Sequence, residues 1–265
     1  MKRRRFANTD LHVSPLGLGT VKLGRDQGVK YPDAFRIPDD REARQLLHLA
    51  RDLGINLLDT APAYGHSEER LGRLLRGQRQ DWVIATKVGE EFVDGQSRFD
   101  FSAEHTHRSV RRSLQRLHTD WLDIVLVHSS GEDEHILQHE GVLTALAELK
   151  QQGLIRAYGV STKTVSGGLL AAQLTDAVMV TYHPGHEEER PVLDYCAEHQ
   201  VAGLVKKAFA SGHFAAEAPS AEASLEFVCA HPGVTSVVIG TINPDHLRSN
   251  VAAVRAATRS RPAPA

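Results

Sequence analysis

Cysteine is nearly missing from this chain of 265 residues, which holds only Cys196 and Cys229. Each falls inside a helical pattern, which argues against a disulfide framework. No run approaches the roughly 18 apolar residues of a membrane helix. Neither sign of charge dominates, with 31 Lys and Arg against 33 Asp and Glu, so nothing draws the chain toward nucleic acid or a membrane surface. The one basic cluster, Lys2-Arg3-Arg4-Arg5, runs into Phe6-Ala7-Asn8-Thr9-Asp10 where a signal peptide needs an apolar stretch. These absences predict a globular, cytoplasmic protein, monomeric or weakly oligomeric, with no nucleic-acid or membrane partner. Its length suffices for a sizeable core.

What is present is an alternation. Short apolar runs at residues 16–19, 55–59, 83–87, 124–128, 157–161, 177–182, 202–206 and 236–239 read as strands covered on both faces. Between them lie amphipathic stretches at 39–53, 67–75, 102–117, 141–152, 164–174, 192–200, 221–230 and 243–257. Gly54 and Gly153 serve as stops, and Ser67 reads as an N-cap. Strict alternation of eight strands with eight helices predicts an α/β chain folded as a (β/α)8 TIM barrel. An open doubly wound sheet is the rival. It would carry a glycine-rich phosphate loop leading straight into a helix, and Leu16-Gly17-Leu18-Gly19-Thr20 does not. Arg4-Arg5-Phe6 and Leu11-His12-Val13 flank Asn8-Thr9-Asp10 and predict an N-terminal β-hairpin closing one end. With no linker or repeat, residues 1–265 read as a single domain.

Polar residues end three successive runs. Asp59 closes the second, with Tyr64 five residues on; Lys87 closes the third and His128 the fourth. Strand carboxyl ends converge on one face of a barrel, so a phenol, an ammonium, a carboxylate and an imidazole should share one rim. Alone, each has a plain structural reading as a cap, a solvated cation or a core histidine. Together they form a set able to protonate a carbonyl oxygen.

Those residues resemble the aldo-keto reductase family. The stretch Asp59-Thr60-Ala61-Pro62-Ala63-Tyr64-Gly65-His66-Ser67-Glu68-Glu69-Arg70-Leu71-Gly72 is similar to its first signature, Ala85-Thr86-Lys87 to its lysine strand, and Leu122–His128 to its histidine strand. Gly153–Ser161 resembles its fifth strand, and Val237–Thr241 with Asn243, Pro244 and Asn250 its last strand and cofactor-clasping helix. The resemblance implies reversible reduction of a small aldehyde or ketone by a nicotinamide cofactor, with Tyr64 as general acid assisted by Lys87, Asp59 and His128. A free phenol, with a pKa of ~10, is a poor acid at neutral pH, and a neighbouring ammonium favours its ionised form. The resemblance also implies cofactor contacts at Gly19, Thr20, Asp59, Ser161, Thr162, Met179, Lys206, Lys207, Phe209, Ile239, Gly240, Thr241, His246 and Asn250.

Several of these positions depart from the family pattern. Thr162 stands where Asn is common and Met179 where Gln is common. Val205-Lys206-Lys207-Ala208-Phe209 replaces an aromatic that stacks on the nicotinamide, and one or both lysines are expected to face the pyrophosphate. Gly240 and His246 stand where NADP-using relatives carry Lys and Arg. NADP(H) is the expected cofactor, with NAD(H) the alternative. Fifteen histidines, among them His183 and His186, His105 and His107, and His135 and His139, raise a metal-dependent barrel hydrolase, but no His-x-His ends the first strand. No metal is expected. A nicotinamide-binding redox-sensing or regulatory barrel with slow turnover is the third reading. Short segments after Asn250 and between Ala210 and Pro219 imply an open site, which Tyr31 and Phe35 could partly cover.

Overall fold

The computed structural model describes residues 1–29, 34–212 and 219–259. In chain order its strands are β1 (Arg4–Arg5), β2 (His12–Val13), β3 (Leu16–Gly19), β4 (Leu57–Asp59), β5 (Val83–Val88), β6 (Glu90–Val93), β7 (Gln96–Phe99), β8 (Leu122–His128), β9 (Ile155–Ser161), β10 (Ala177–Thr181), β11 (Ala202–Lys206) and β12 (Val234–Ile239). Its helices are α1 (Asp40–Asp52), α2 (Ser67–Leu74), α3 (Ala103–Arg116), α4 (Asp133–His139), α5 (Val142–Gln151), α6 (Val165–Leu174), α7 (Arg190–His199), α8 (Ala221–Ala230) and α9 (Pro244–Arg259). Strands β3, β4, β5, β8, β9, β10, β11 and β12 pair in parallel in that order, and β12 returns to β3. The expected (β/α)8 barrel is present, as is the N-terminal hairpin.

The two-residue period of a strand sorts the core into two layers. Leu57, Ala85, Leu126, Ala157, Met179 and Leu204 point into the barrel, while Leu58, Ile84, Val125, Val127, Val160 and Val205 pack outward under the helices. The β1–β2 hairpin stoppers the amino-terminal end. Phe6 is fully buried among the interior residues, a burial that stabilises by about 2–3 kcal/mol. Arg4 Nη1 donates to the Val234 carbonyl at 2.7 Å and fastens the stopper.

The structure departs from the sequence expectations in three places. An extra helix, α4, follows β8, so nine α-helices occur among the described residues. A second hairpin, β6–β7, follows β5; its Asp94-Gly95 turn has positive φ at both residues, 53° and 78°, as a tight two-residue hairpin loop requires. Ser67 does not cap α2. His66 occupies the cap position without a capping side-chain bond, and the buried Ser67 hydroxyl instead contacts Thr20 Oγ1 at 2.7 Å and accepts from Thr60 Oγ1 at 3.0 Å.

Candidate active site

The strand period that buries Leu57, Ala85 and Leu126 carries forward two residues to Asp59, Lys87 and His128. Each therefore enters the barrel lumen at its carboxyl-terminal mouth. Lys87 and Asp59 are 2% and 4% exposed. Lys87 Nζ donates to Asp59 Oδ1 at 2.6 Å and to the Thr60 carbonyl at 2.9 Å. Burial alone would push the Lys87 pKa down, but the Asp59 carboxylate and Tyr64 outweigh it and raise it above the usual lysine value. This ammonium stays charged throughout the neutral range.

Tyr64 is half-buried on the loop between β4 and α2. Its ring centroid lies 4.7 Å from Lys87 Nζ and 6.2 Å from the His128 ring, which it meets edge-on. The Ser67 hydroxyl pins this loop to Thr20 and Thr60. Gly65, at φ 61°, presses so closely on the Gly24 carbonyl that a Cβ would come within 2.2 Å of it. Any other residue there would displace the loop that presents Tyr64.

His128 Nδ1 lies 2.7 Å from Glu90 Oε2. Burial pushes its pKa below the ordinary value, Glu90 pulls it back, and Lys87 and Lys206 push it down again. Burial works to raise Glu90, but His128, Ser97 and Arg25 prevail and bring it to about 2. In the neutral range, where the imidazole has lost its charge, Ser97 (2.6 Å) and Arg25 hold that carboxylate. An imidazole donating from Nδ1 can donate from Nε2 as well only when doubly protonated. Glu90 was not anticipated, although the Asp94-Gly95 pair was a hairpin signal that would have placed it at the mouth.

The opposite arc carries the expected cofactor residues, and parity divides them. Gly19, Ser161, Met179, Lys206 and Gly240 fall on lumen positions. Thr162 and Ile239 fall on the outer face, Ile239 in the outer core. Among the described residues the buried Thr162 Oγ1 has no hydrogen-bond partner, and it lies 3.5 Å from where a Cβ on Gly168 of α6 would be. Thr20 is buried, and its Oγ1 donates to the Asp59 carbonyl at 2.9 Å. Phe209 packs against the outer core, and Lys207 is exposed with φ 56°. Lys206 does not reach outward: its Nζ donates to Ser161 Oγ at 2.9 Å and to the Thr162 carbonyl at 2.7 Å. Burial is the main cause that brings its pKa down to about 7.

At the start of α9, Asn243 Oδ1 accepts from the amides of Asp245 and His246 at 2.8 and 3.3 Å. Thr241 Oγ1 accepts from Asn243 N at 3.1 Å. His246 is exposed and Asn250 buried. Phe35 lies beneath the Lys22 ammonium, 4.8 Å from its ring centroid, and Tyr31 falls outside the described residues. Among the described residues no three His, Cys, Asp or Glu side chains converge as metal ligands, and no helix is long and apolar enough to cross a membrane.

Comparison with known proteins decides the family. Residues 15–220 match the model of the aldo/keto reductase family. The chain belongs to that family. On that footing it is an oxidoreductase. A solved Pseudomonas aeruginosa protein placed among the aldo-keto reductases is 58% identical, with a TM-score of 0.89 over 97% of this chain and 95% of that one. The holo form of an aldo-keto reductase from Bacillus halodurans is 30% identical, with a TM-score of 0.79 over 96% and 91%. The uncharacterized oxidoreductase YqkF of Bacillus subtilis is 27% identical, over 97% of this chain and 92% of its own. In this aldo/keto reductase Lys87 pairs with Asp59 at the mouth, and Lys206 joins it in the lumen on Ser161 and Thr162.

Proposed function

We propose that the chain is a nicotinamide-dependent carbonyl reductase that reversibly converts small aldehydes or ketones to alcohols. One observation carries the reading: Tyr64, Lys87, Asp59 and His128 surround one point of the barrel mouth, with the buried Lys87–Asp59 pair at 2.6 Å behind the phenol. Bound there, the cofactor supplies the hydride. Ser161 suits its carboxamide, because the hydroxyl oxygen is taken by Lys206 while its proton is free to donate.

Tyr64 gives its proton to the carbonyl oxygen. Lys87 stabilises the phenolate left behind, and Asp59 keeps Lys87 in place and charged. His128 orients the carbonyl oxygen, and Glu90 fixes the ring that does so. In Tyr64→Phe carbonyl reduction should be abolished while cofactor binding persists; turnover retained in that variant would overthrow Tyr64 as the acid.

NADP(H) is the first cofactor of this reading, on the family resemblance. A second reading, NAD(H), is favoured by the α9 start, where Gly240 and His246 offer no permanent positive charge and Asn243 already occupies the amides. Tighter binding of NADH than NADPH in a fluorescence titration would decide for it. The lumen ammoniums of Lys87 and Lys206 argue against a resident metal cation and so against the hydrolase reading.

A further inference from the structure

Strands β5 and β11 stand four places apart in the ring of eight, so Lys87 and Lys206 enter the lumen from opposite walls. Lys87 is neutralised by Asp59 at 2.6 Å. Lys206 is not: its two contacts are the neutral oxygens of Ser161 and Thr162, and among the described residues it forms no salt bridge. Ser161 is the strand neighbour of His128, and the charge on Lys206 is felt at both His128 and Lys87. An ammonium with no ion pair among the described residues, its nearest contacts neutral oxygens, thus stands beside the reacting centre, on the wall facing the Tyr64 side.

A nicotinamide serving this site must bring its ring between those walls, because the hydride and the Tyr64 proton go to adjacent atoms of one carbonyl. The cofactor's phosphates are the same in both redox states. Only the ring differs, neutral when reduced and a pyridinium cation when oxidised. We propose that Lys206, hung from Ser161 Oγ and the Thr162 carbonyl, makes the site discriminate between the two redox forms of the cofactor, accepting the reduced ring and repelling the oxidised one. The inference rests on the proposed nicotinamide chemistry and adds a specificity-determining residue to it.

The discrimination is titratable. The groups acting on Lys206 are Glu189 at the start of α7 and Asp133 of α4, which favour its charge, and Lys207 and Lys87, which oppose it. His128 faces it from β8, and His186 stands 3.7 Å from Glu189 Oε2. Burial outweighs the two carboxylates and leaves the ammonium giving up its proton near neutrality. The oxidised ring should therefore expel that proton on binding, and the reduced ring should not.

Calorimetric titration of the full chain with NADH, NAD+, NADPH and NADP+ near pH 6 and near pH 8.5 tests this. In the native protein the ratio of oxidised to reduced dissociation constants should be high near pH 6 and fall with rising pH. Lys206→Met should lower the acidic ratio on the order of tenfold, the scale of two charges interacting across a partly hydrated site, and flatten its pH dependence. Lys206→Gln keeps a donor for Ser161 without the charge and should behave like Met; a native ratio in Gln would overturn the charge role. An unchanged ratio in Met would do the same. If neither variant folds, the native pH series and the proton release measured in two buffers decide, and a flat ratio with no proton release for NAD+ or NADP+ overturns the inference. Failure of the native chain to bind any of the four would instead overturn the proposed function on which the inference stands.

Discussion

Two lysines at strand ends enter one barrel from opposite walls, and their chemistries diverge. Lys87 has a carboxylate at 2.6 Å and a raised pKa; Lys206 has two neutral oxygens and a pKa brought down to about 7. Both lose water on entering the lumen, so burial opposes the charge of each. The partner decides the outcome. One wall is built to keep a permanent charge, and the other to hold a charge that pH can remove.

The largest test of that contrast is turnover. Lys87→Met should lower carbonyl reduction by roughly 10²–10⁴-fold in steady-state assays, the range of a lost acid–base group. Lys206→Met should retain far more turnover under saturating reduced cofactor. Next comes stability. Lys87→Met leaves Asp59 buried and unpaired and should cost about 3–5 kcal/mol in urea unfolding at pH 7, whereas Lys206→Met forfeits hydrogen bonds to neutral groups and should cost about 1 kcal/mol. Equal losses would dissolve the distinction.

Stability against pH sharpens it further. Lys206 binds its proton more weakly in the fold than in the unfolded chain, so between about pH 7 and 10.5 the unfolded state holds more protons. The native protein should therefore gain roughly 1–2 kcal/mol relative to Lys206→Met across that window, a figure discounted for partial exposure. The contribution of Lys87 has the opposite sign: it is complete below pH 10.5 and lost only as pH climbs through its raised value. The smallest effect belongs to Glu90, lowered from 4.5 to about 2. Its stabilisation is present above pH 4.5 and disappears as pH falls toward 2. Glu90→Gln should thus cost about 1 kcal/mol at pH 6 and little at pH 2.5 in thermal unfolding.

The barrel was readable because parallel strands buried on both faces appear as unbroken apolar runs, and a polar residue ending such a run marks the mouth. Asp59, Lys87 and His128 all announced themselves that way. Glu90 did not, since it lies in a hairpin whose alternation is blurred by Glu90-Glu91, although Asp94-Gly95 marks its turn. Lys206 was visible as a residue but not as a contact. Its bond to Ser161 spans 45 positions in the chain, and a flexible side chain at a strand end suits an inward or an outward course equally in sequence. Parity could have separated Thr162 from Ser161, because neighbours on a strand face opposite ways. The Ser67 hydroxyl went to Thr20 and Thr60 rather than to a helix cap because it is fully buried, and burial is a tertiary fact.

The Phe6 stopper has a kinetic corollary. With the amino-terminal end of the lumen filled by Phe6, the carboxyl-terminal mouth is the end left to a reactant. Under the proposed function, a reactant lodged deeper there would arrive first and leave last, which predicts a compulsory order of binding and a turnover ceiling set by release of the deeper one.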